Sequence, residues 1–220
     1  MPRILYGGTF DPVHLGHLAI ARAVADAFGE PVFLLPAADP PHRPPPGASA
    51  HQRAAMLELA SAGDPRIKVD RRELNRLGPS YTVDTLAEVR EELGPEASII
   101  WVMGIDSLQQ LDTWRQWKRL FELAHVLGVE RPTGPADPEW LVRHAPAVAS
   151  EVATRQCRVP ELAQAPAGGY AALPMNPLRH ESATQVRLRL RQGGDWQSLV
   201  PASVAAYIQE NGLYRLGDAG

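Results

Sequence analysis

The amino-acid sequence predicts an α/β protein built on a parallel sheet, and three observations carry that expectation. Short apolar runs alternate with amphipathic stretches along most of the chain. The run IIWVMG before Ile105 contains no charged residue, as a strand buried on both faces of a parallel sheet requires. Glycines follow the first apolar run directly and sit at a strand-to-helix junction, where open α/β sheets bind their ligands. Strands joined in this way take right-handed crossovers.

In chain order, RILYGG reads as a short buried strand ending in glycines. Residues 15–28 then place Leu15, Leu18, Ala21, Ala25 and Phe28 at helical spacing. PVFLLPA, residues 31–37, is a second strand, and a proline-heavy loop follows it. A helix over about 50–62 has Ala54, Leu57 and Ala60 on its apolar side. RIKVD, residues 66–70, is a third strand. Ser80 to Thr82 precede a helix over 83–93 that Gly94-Pro95 stops. The strand 98–104 leads to two short helices, around 107–111 and 114–123, and to a further strand, HVLGVE. Residues 131–170 are rich in alanine and proline and show no strong period, although APAVASEVA can be helical. They read as a peripheral insertion in a single domain of residues 1–220. Order returns with YAALPMN as a strand and 183–191 as a helix. A last helix runs from about Pro201 to Glu210, ended by Asn211-Gly212.

A chain of 220 residues suits one domain of ordinary size, and 45% hydrophobic with 21% charged residues is the balance of a folded soluble protein. A net charge of −3 exerts no general pull on nucleic acid or an anionic membrane, so any bound anion must be held by local geometry. The one cysteine, Cys157, cannot form an internal disulfide. No apolar run long enough to span a bilayer occurs, and no signal peptide is recognisable, so the expected setting is the cytoplasm. Nothing here selects between a monomer and a homo-oligomer.

The chemistry concentrates in YGGTFDPVHLGHL. Gly7 and Gly8 leave backbone N–H groups open to an anion, and the helix that follows adds its positive end. His14 and His17 share a face of its first turn, and Gly16 leaves the surface beside them open. Two imidazoles so placed can ligate metal, act as acid or base, or donate to phosphate oxygens. Zinc usually takes histidines four apart on a helix plus a third ligand, so the spacing of three argues against metal. A second block, ESATQVRLRL, puts Ser182 and Thr184 at a helix N-terminus with Arg187 one turn on. By itself that block reads more readily as a capped helix with a surface arginine.

GGTFDPVHLGH closely resembles the (T/H)xGH signature of the nucleotidyltransferase superfamily, which includes adenylyl- and cytidylyltransferases and the HIGH-type aminoacyl-tRNA synthetases. A synthetase fails on length and on the lack of a KMSKS-like loop. The resemblance implies a Rossmann-like, doubly wound parallel sheet with flanking helices, in which a small C-terminal helical part from residue 182 completes the ATP site. It implies that His14 and His17 face the ATP phosphates, with Gly7, Gly8, Thr9 and Phe10 lying against them. ESATQVR resembles the family motif ISSTxIR, whose matching positions Ser182, Thr184 and Arg187 would contact the triphosphate. Glu181 and Ala183 depart from that motif.

LGPSYTVDTL, WVMGIDSLQQLDTWRQW and DPPHRP narrow the resemblance to the bacterial nicotinate-mononucleotide adenylyltransferases, over residues 3–131 and again from about 175. On that basis Tyr81 and Thr82 lie beside the nicotinate ring, Trp114 stacks on it, and the backbone at Thr82 and Arg115 holds its carboxylate. Gly104 and Asp106 lie near the adenosine ribose, and capping the next helix is the alternative use of Asp106. His42 and Arg43 stand where the family has a His-Lys pair, Arg43 keeping the charge but changing its reach. The implied substrates are ATP and nicotinate mononucleotide, with Mg2+ arriving on ATP and no dedicated protein metal site. The rival expectations are another transferase of the superfamily, such as the phosphopantetheine enzyme, and a non-catalytic nucleotide-binding domain.

Overall fold

The computed structural model describes residues 1–38, 47–76, 78–130, 138–177 and 179–215. Its centre is a sheet of six strands, all parallel: β1 (Arg3–Gly8), β2 (Val32–Pro36), β3 (Ile67–Val69), β4 (Ile99–Gly104), β5 (His125–Val129) and β6 (Tyr170–Leu173), in the order β3-β2-β1-β4-β5-β6. The chain winds outward from β1 to β3, returns to β4 beside β1, and winds outward the other way. This is the doubly wound, Rossmann-like order, and the reversal between β1 and β4 opens a crevice at their carboxyl ends.

Alternation along the strands divides the core into two faces, because successive side chains of a strand point to opposite sides. Ile4, Tyr6, Ile100, Val102, Leu127 and Val129 face one layer. It is formed by α1 (Leu15–Phe28), α2 (Ala50–Ser61), α8 (Ala183–Arg191) and α9 (Ala202–Glu210). Leu5, Ile99, Trp101, Met103 and Val126 face the other. That layer comprises α3 (Thr82–Leu93), α4 (Ile105–Leu108), α5 (Leu120–Leu123) and α7 (Pro146–Ala153), which follows α6 (Pro138–His144). The segment expected as a surface excursion thus supplies Val148 to one face, and its Leu162 packs into the other.

Between Gln109 and Leu120 the structure departs from the expected pair of short helices. Only α4 and α5 are α-helical, joined by tight turns at Leu111–Thr113 and Trp117–Arg119. Trp114 is extended and Gln116 takes a left-handed φ of 50°, which an α-helix cannot continue through. Two polar side chains tie loops to the sheet's amino-terminal end. The Arg90 guanidinium donates to the carbonyls of Leu123, Gly94, Pro95, Ala97 and Pro166. The buried His125 ring accepts from Gly169 N at 2.9 Å and donates to Ala165 O at 2.8 Å. Burial holds the His125 pKa below its ordinary value.

Candidate active site

At the carboxyl end of β1 the chain enters its turn through Phe10, which has a left-handed φ of 50° although it is not a glycine. Its ring is buried and stands edge-on to His17 at 4.9 Å and to Tyr6 at 5.7 Å. His14 caps α1, and its ring stacks on His17 with centroids 3.6 Å apart. The His14 N–H donates to Nδ1 of His17 at 3.3 Å, so a neutral His17 carries its proton on Nε2 as a donor.

The glycines of this turn have reasons the sequence did not show. A Cβ on Gly7 would stand 2.3 Å from the Trp101 indole, and one on Gly8 would stand 3.0 Å from the Phe10 ring. Their bare sides are filled by aromatic packing, while their backbones still line the crevice. Gly16 corrects the expectation of an open surface. A Cβ there would meet Nδ1 of His14 at 3.0 Å and the Glu181 carbonyl at 3.3 Å. The ESATQVR block therefore packs directly on the histidine block.

Ser182 caps α8, accepting from Gln185 N at 3.2 Å, which leaves its own O–H able to donate. Arg187 donates to the carbonyl of Asp11, lies 3.6 Å from the Asp11 carboxylate, and approaches the Thr184 hydroxyl at 3.5 Å. Glu181, the departure from the family pattern, is ion-paired with Arg179, so it brings no uncompensated charge to the site.

Asp11 joins four parts of the chain. Its carboxylate accepts from Gly47 N at 2.9 Å, Ala48 N at 3.1 Å and the Tyr214 hydroxyl at 2.7 Å, and it neighbours Arg187. Tyr214 is buried against this carboxylate, and burial, with the Asp11 charge second, drives its pKa well above the ordinary phenol value. Arg53, fully buried, donates to Thr9 O at 2.6 Å, Ala38 O at 3.0 Å and Ala48 O at 3.3 Å. Sequence reasoning missed Asp11, Arg53 and Tyr214 as parts of the site. Only Asp11 stood inside a recognised block, and nothing local marked the other two.

On the other side of β1 and β4 lies a cavity of about 280 Å3. The signature turn contributes Gly7, Gly8 and Thr9, and α3 brings Tyr81 at its N-cap and Thr82 at its first position. Asp106, Trp114 and Arg115 close the rim. Gly104, not Asp106, takes the N-cap position of α4. The first N–H groups of α3 have no partner within the helix, which suits an anionic group. The Arg115 guanidinium lies 4.8 Å over the Tyr81 ring and 3.7 Å from Asp84. Trp101 and the buried Glu73 also line the cavity, and the sequence singled out neither.

The structure thus gathers Tyr81, Thr82, Asp106, Trp114 and Arg115 around one cavity. His14, His17, Ser182, Thr184 and Arg187 lie at the adjoining α1–α8 contact, and Phe10 lies behind the histidines. His42 and Arg43 fall outside the described residues.

A model of the cytidylyltransferase-like family matches residues 5–189. A protein of Stenotrophomonas maltophilia (strain K279a) described as a "probable nicotinate-nucleotide adenylyltransferase" is 48% identical over 218 residues, covering 97% of this chain and 96% of that one. A Xylella fastidiosa (strain M12) protein of the same description is 43% identical over 220 residues, covering 98% and 97%. Among solved structures, Plasmodium falciparum nicotinic acid mononucleotide adenylyltransferase complexed with NaAD aligns with a TM-score of 0.73 at 17% identity, over 97% of this chain and 98% of that one. That likeness is one of fold.

Proposed function

The chain belongs to the cytidylyltransferase-like family, and from that premise we propose that it transfers the adenylyl group of ATP to nicotinate mononucleotide, a step of NAD synthesis. The observation that carries this reading is the meeting of two distant blocks. The stacked His14 and His17 and the Ser182–Arg187 turn come together beside a cavity rimmed by Tyr81 and Trp114.

A phosphate monoester is already largely dianionic near neutrality, with a second pKa of about 6, and needs no strong base to attack. An oxygen of the mononucleotide phosphate bonds to the α-phosphorus of ATP, the bond to the β-phosphate oxygen breaks, and pyrophosphate leaves with its electrons. The product is deamido-NAD. Catalysis is then the in-line positioning of two anions and the stabilisation of charge on the leaving group. Nε2–H of His17, the His14 ring, the Ser182 and Thr184 hydroxyls and the remaining N–H groups of Arg187 supply donors for the phosphates. Gly104 and Asp106 are assigned to the adenosine ribose, and His42 and Arg43 to the mononucleotide phosphate.

Magnesium accompanies ATP in this reading and lowers the charge of the leaving pyrophosphate. Phosphate oxygens and water would satisfy that hard cation. Among the described residues no helix is long and apolar enough to cross a membrane, and the proposed setting is the cytoplasm. The proposed unit is a single domain whose part from residue 182 onward completes the ATP site.

Trp114 stacks on the pyridine, and N–H groups at Thr82 and Arg115 meet the carboxylate. Replacing one carboxylate oxygen by NH2 sets donor against donor, which a buried site rejects strongly. The test is pyrophosphate release with ATP, Mg2+ and a panel of nicotinate mononucleotide, nicotinamide mononucleotide and phosphopantetheine. Turnover restricted to the nicotinate substrate is expected. Equal efficiency with the amide refutes the selectivity, and turnover of phosphopantetheine alone refutes the assignment.

A further inference from the structure

The cavity wall contains a buried carboxylate that the proposed reaction does not use. Glu73 lies in the short turn Arg72–Asn75 after β3, is 6% exposed, and lines the cavity together with Ser80, Tyr81 and Trp114. Among the described residues its carboxylate has one hydrogen-bond donor, the Thr85 hydroxyl at 2.7 Å. The nearby cations are committed elsewhere. Arg72 pairs with Asp70 at 2.7 Å and Glu92 at 3.0 Å, and Arg76 pairs with Glu88 at 2.6 Å while donating to Thr85 at 3.1 Å. Burial is the main cause that raises the Glu73 pKa; the Thr85 hydrogen bond and the charge of Arg76 oppose it, and the like charges of Asp70 and Glu88 add to it.

A carboxylate this buried is costly unless a cation or several donors meet it, and among the described residues it receives one neutral hydroxyl directly and only the more distant charge of Arg76, whose ion pair is with Glu88. The proposed mononucleotide brings what is missing. Its ring nitrogen is bonded to ribose, so the ring carries a fixed positive charge that no proton transfer removes. Trp114 offers that ring an aromatic face. We propose that Glu73 is the carboxylate that recognises this pyridinium charge, making the site specific for a cationic ring as well as for its acid substituent. The proposal rests on the adenylyl-transfer reading above.

The test compares nicotinate mononucleotide with its neutral-ring counterpart, the 3-carboxyphenyl C-riboside 5′-phosphate, under saturating ATP and Mg2+. The unaltered protein should prefer the cationic ring in kcat/KM. In Glu73→Gln the amide oxygen still accepts from Thr85, so the fold is kept and the charge alone is lost. That substitution should raise KM for nicotinate mononucleotide by about tenfold or more and erase most of the ring preference. KM for ATP and the melting temperature should hold. Glu73→Asp retains the charge and should retain a preference for the cationic ring.

Equal loss with both ring types in Glu73→Gln overturns the proposal, since that is the mark of a carboxylate that merely orders the Ser80–Thr85 turn or meets the ribose. An unchanged KM overturns it as well. Should Glu73→Gln fail to fold, equal kcat/KM for the two rings in the unaltered protein is decisive against it. Failure of the unaltered protein to turn over nicotinate mononucleotide at all would instead sink the underlying reading.

Discussion

The proposed phosphate side of the site and its proposed ring side are built in opposite ways. On the phosphate side, Asp11 binds the backbone at Gly47 and Ala48, the Tyr214 hydroxyl and Arg187, while His14 and His17 are buried and stacked. On the ring side, Trp114 is half-buried, Arg115 is exposed, and both stand on a run of tight turns between α4 and α5. Donors for a triphosphate act best when preorganised and shielded from water, and burial with multiple ties achieves that. A ring site on turns can vary its side chains without disturbing the core. In the proposed reading the phosphate side carries the chemistry common to nucleotidyl transfer, and the ring side carries the choice of acceptor.

Substitutions should separate the two sides by what they change. His17→Ala has the largest expected effect, lowering turnover by about 10²–10³-fold while the protein stays folded. Pyrophosphate release and a melting curve check it, and normal turnover removes His17 from the phosphate cradle. Trp114→Ala should act on the ring side alone, raising KM for nicotinate mononucleotide about tenfold with KM for ATP unchanged. A comparable rise in both constants would mean that the two sides are not independent.

Tyr214→Phe tests the ties themselves. Loss of a buried hydrogen bond to a carboxylate should cost about 2 kcal/mol, read by denaturant unfolding, with KM for the mononucleotide unchanged. Stability equal to the unaltered protein's would show that Asp11 is satisfied without Tyr214. The smallest effect belongs to His125, remote from both sides. Its folded-state pKa lies below the ordinary 6.5, so the folded protein keeps it neutral. Its contribution to stability is fully present above pH 6.5 and is lost as the pH falls from there through the lower folded-state value, because the unfolded chain gains the proton first. Melting temperatures across that range should fall less in His125→Gln, and identical slopes would contradict the assignment.

Reading ability from sequence followed the range of the interaction. The strand-helix alternation depends on local periodicity and was readable in order, with the helices 15–28 and 183–191 readable to the residue. The turns between α4 and α5 were not, since the left-handed Gln116 that breaks the helical pattern is not a glycine and gives no compositional signal. Gly7, Gly8 and Gly16 were read from sequence as leaving space for a ligand, but the neighbours that demand glycine there, Trp101, the Phe10 ring and the Glu181 carbonyl, are tertiary partners. Glu73 went unnoticed for the same reason. In sequence it is an ordinary surface-like glutamate, and only packing shows it to be buried beside Tyr81.

What the sequence determined alone was the α/β class, the placement of the histidine and arginine blocks on helix starts, and the family, because each is encoded by contiguous residues. What only the tertiary structure decided was how those blocks meet. Arg187 reaches Asp11 across 176 positions and Tyr214 reaches it across 203. Such contacts arise from the winding of the sheet and from the need to pair each buried charge, and neither leaves a mark on neighbouring residues.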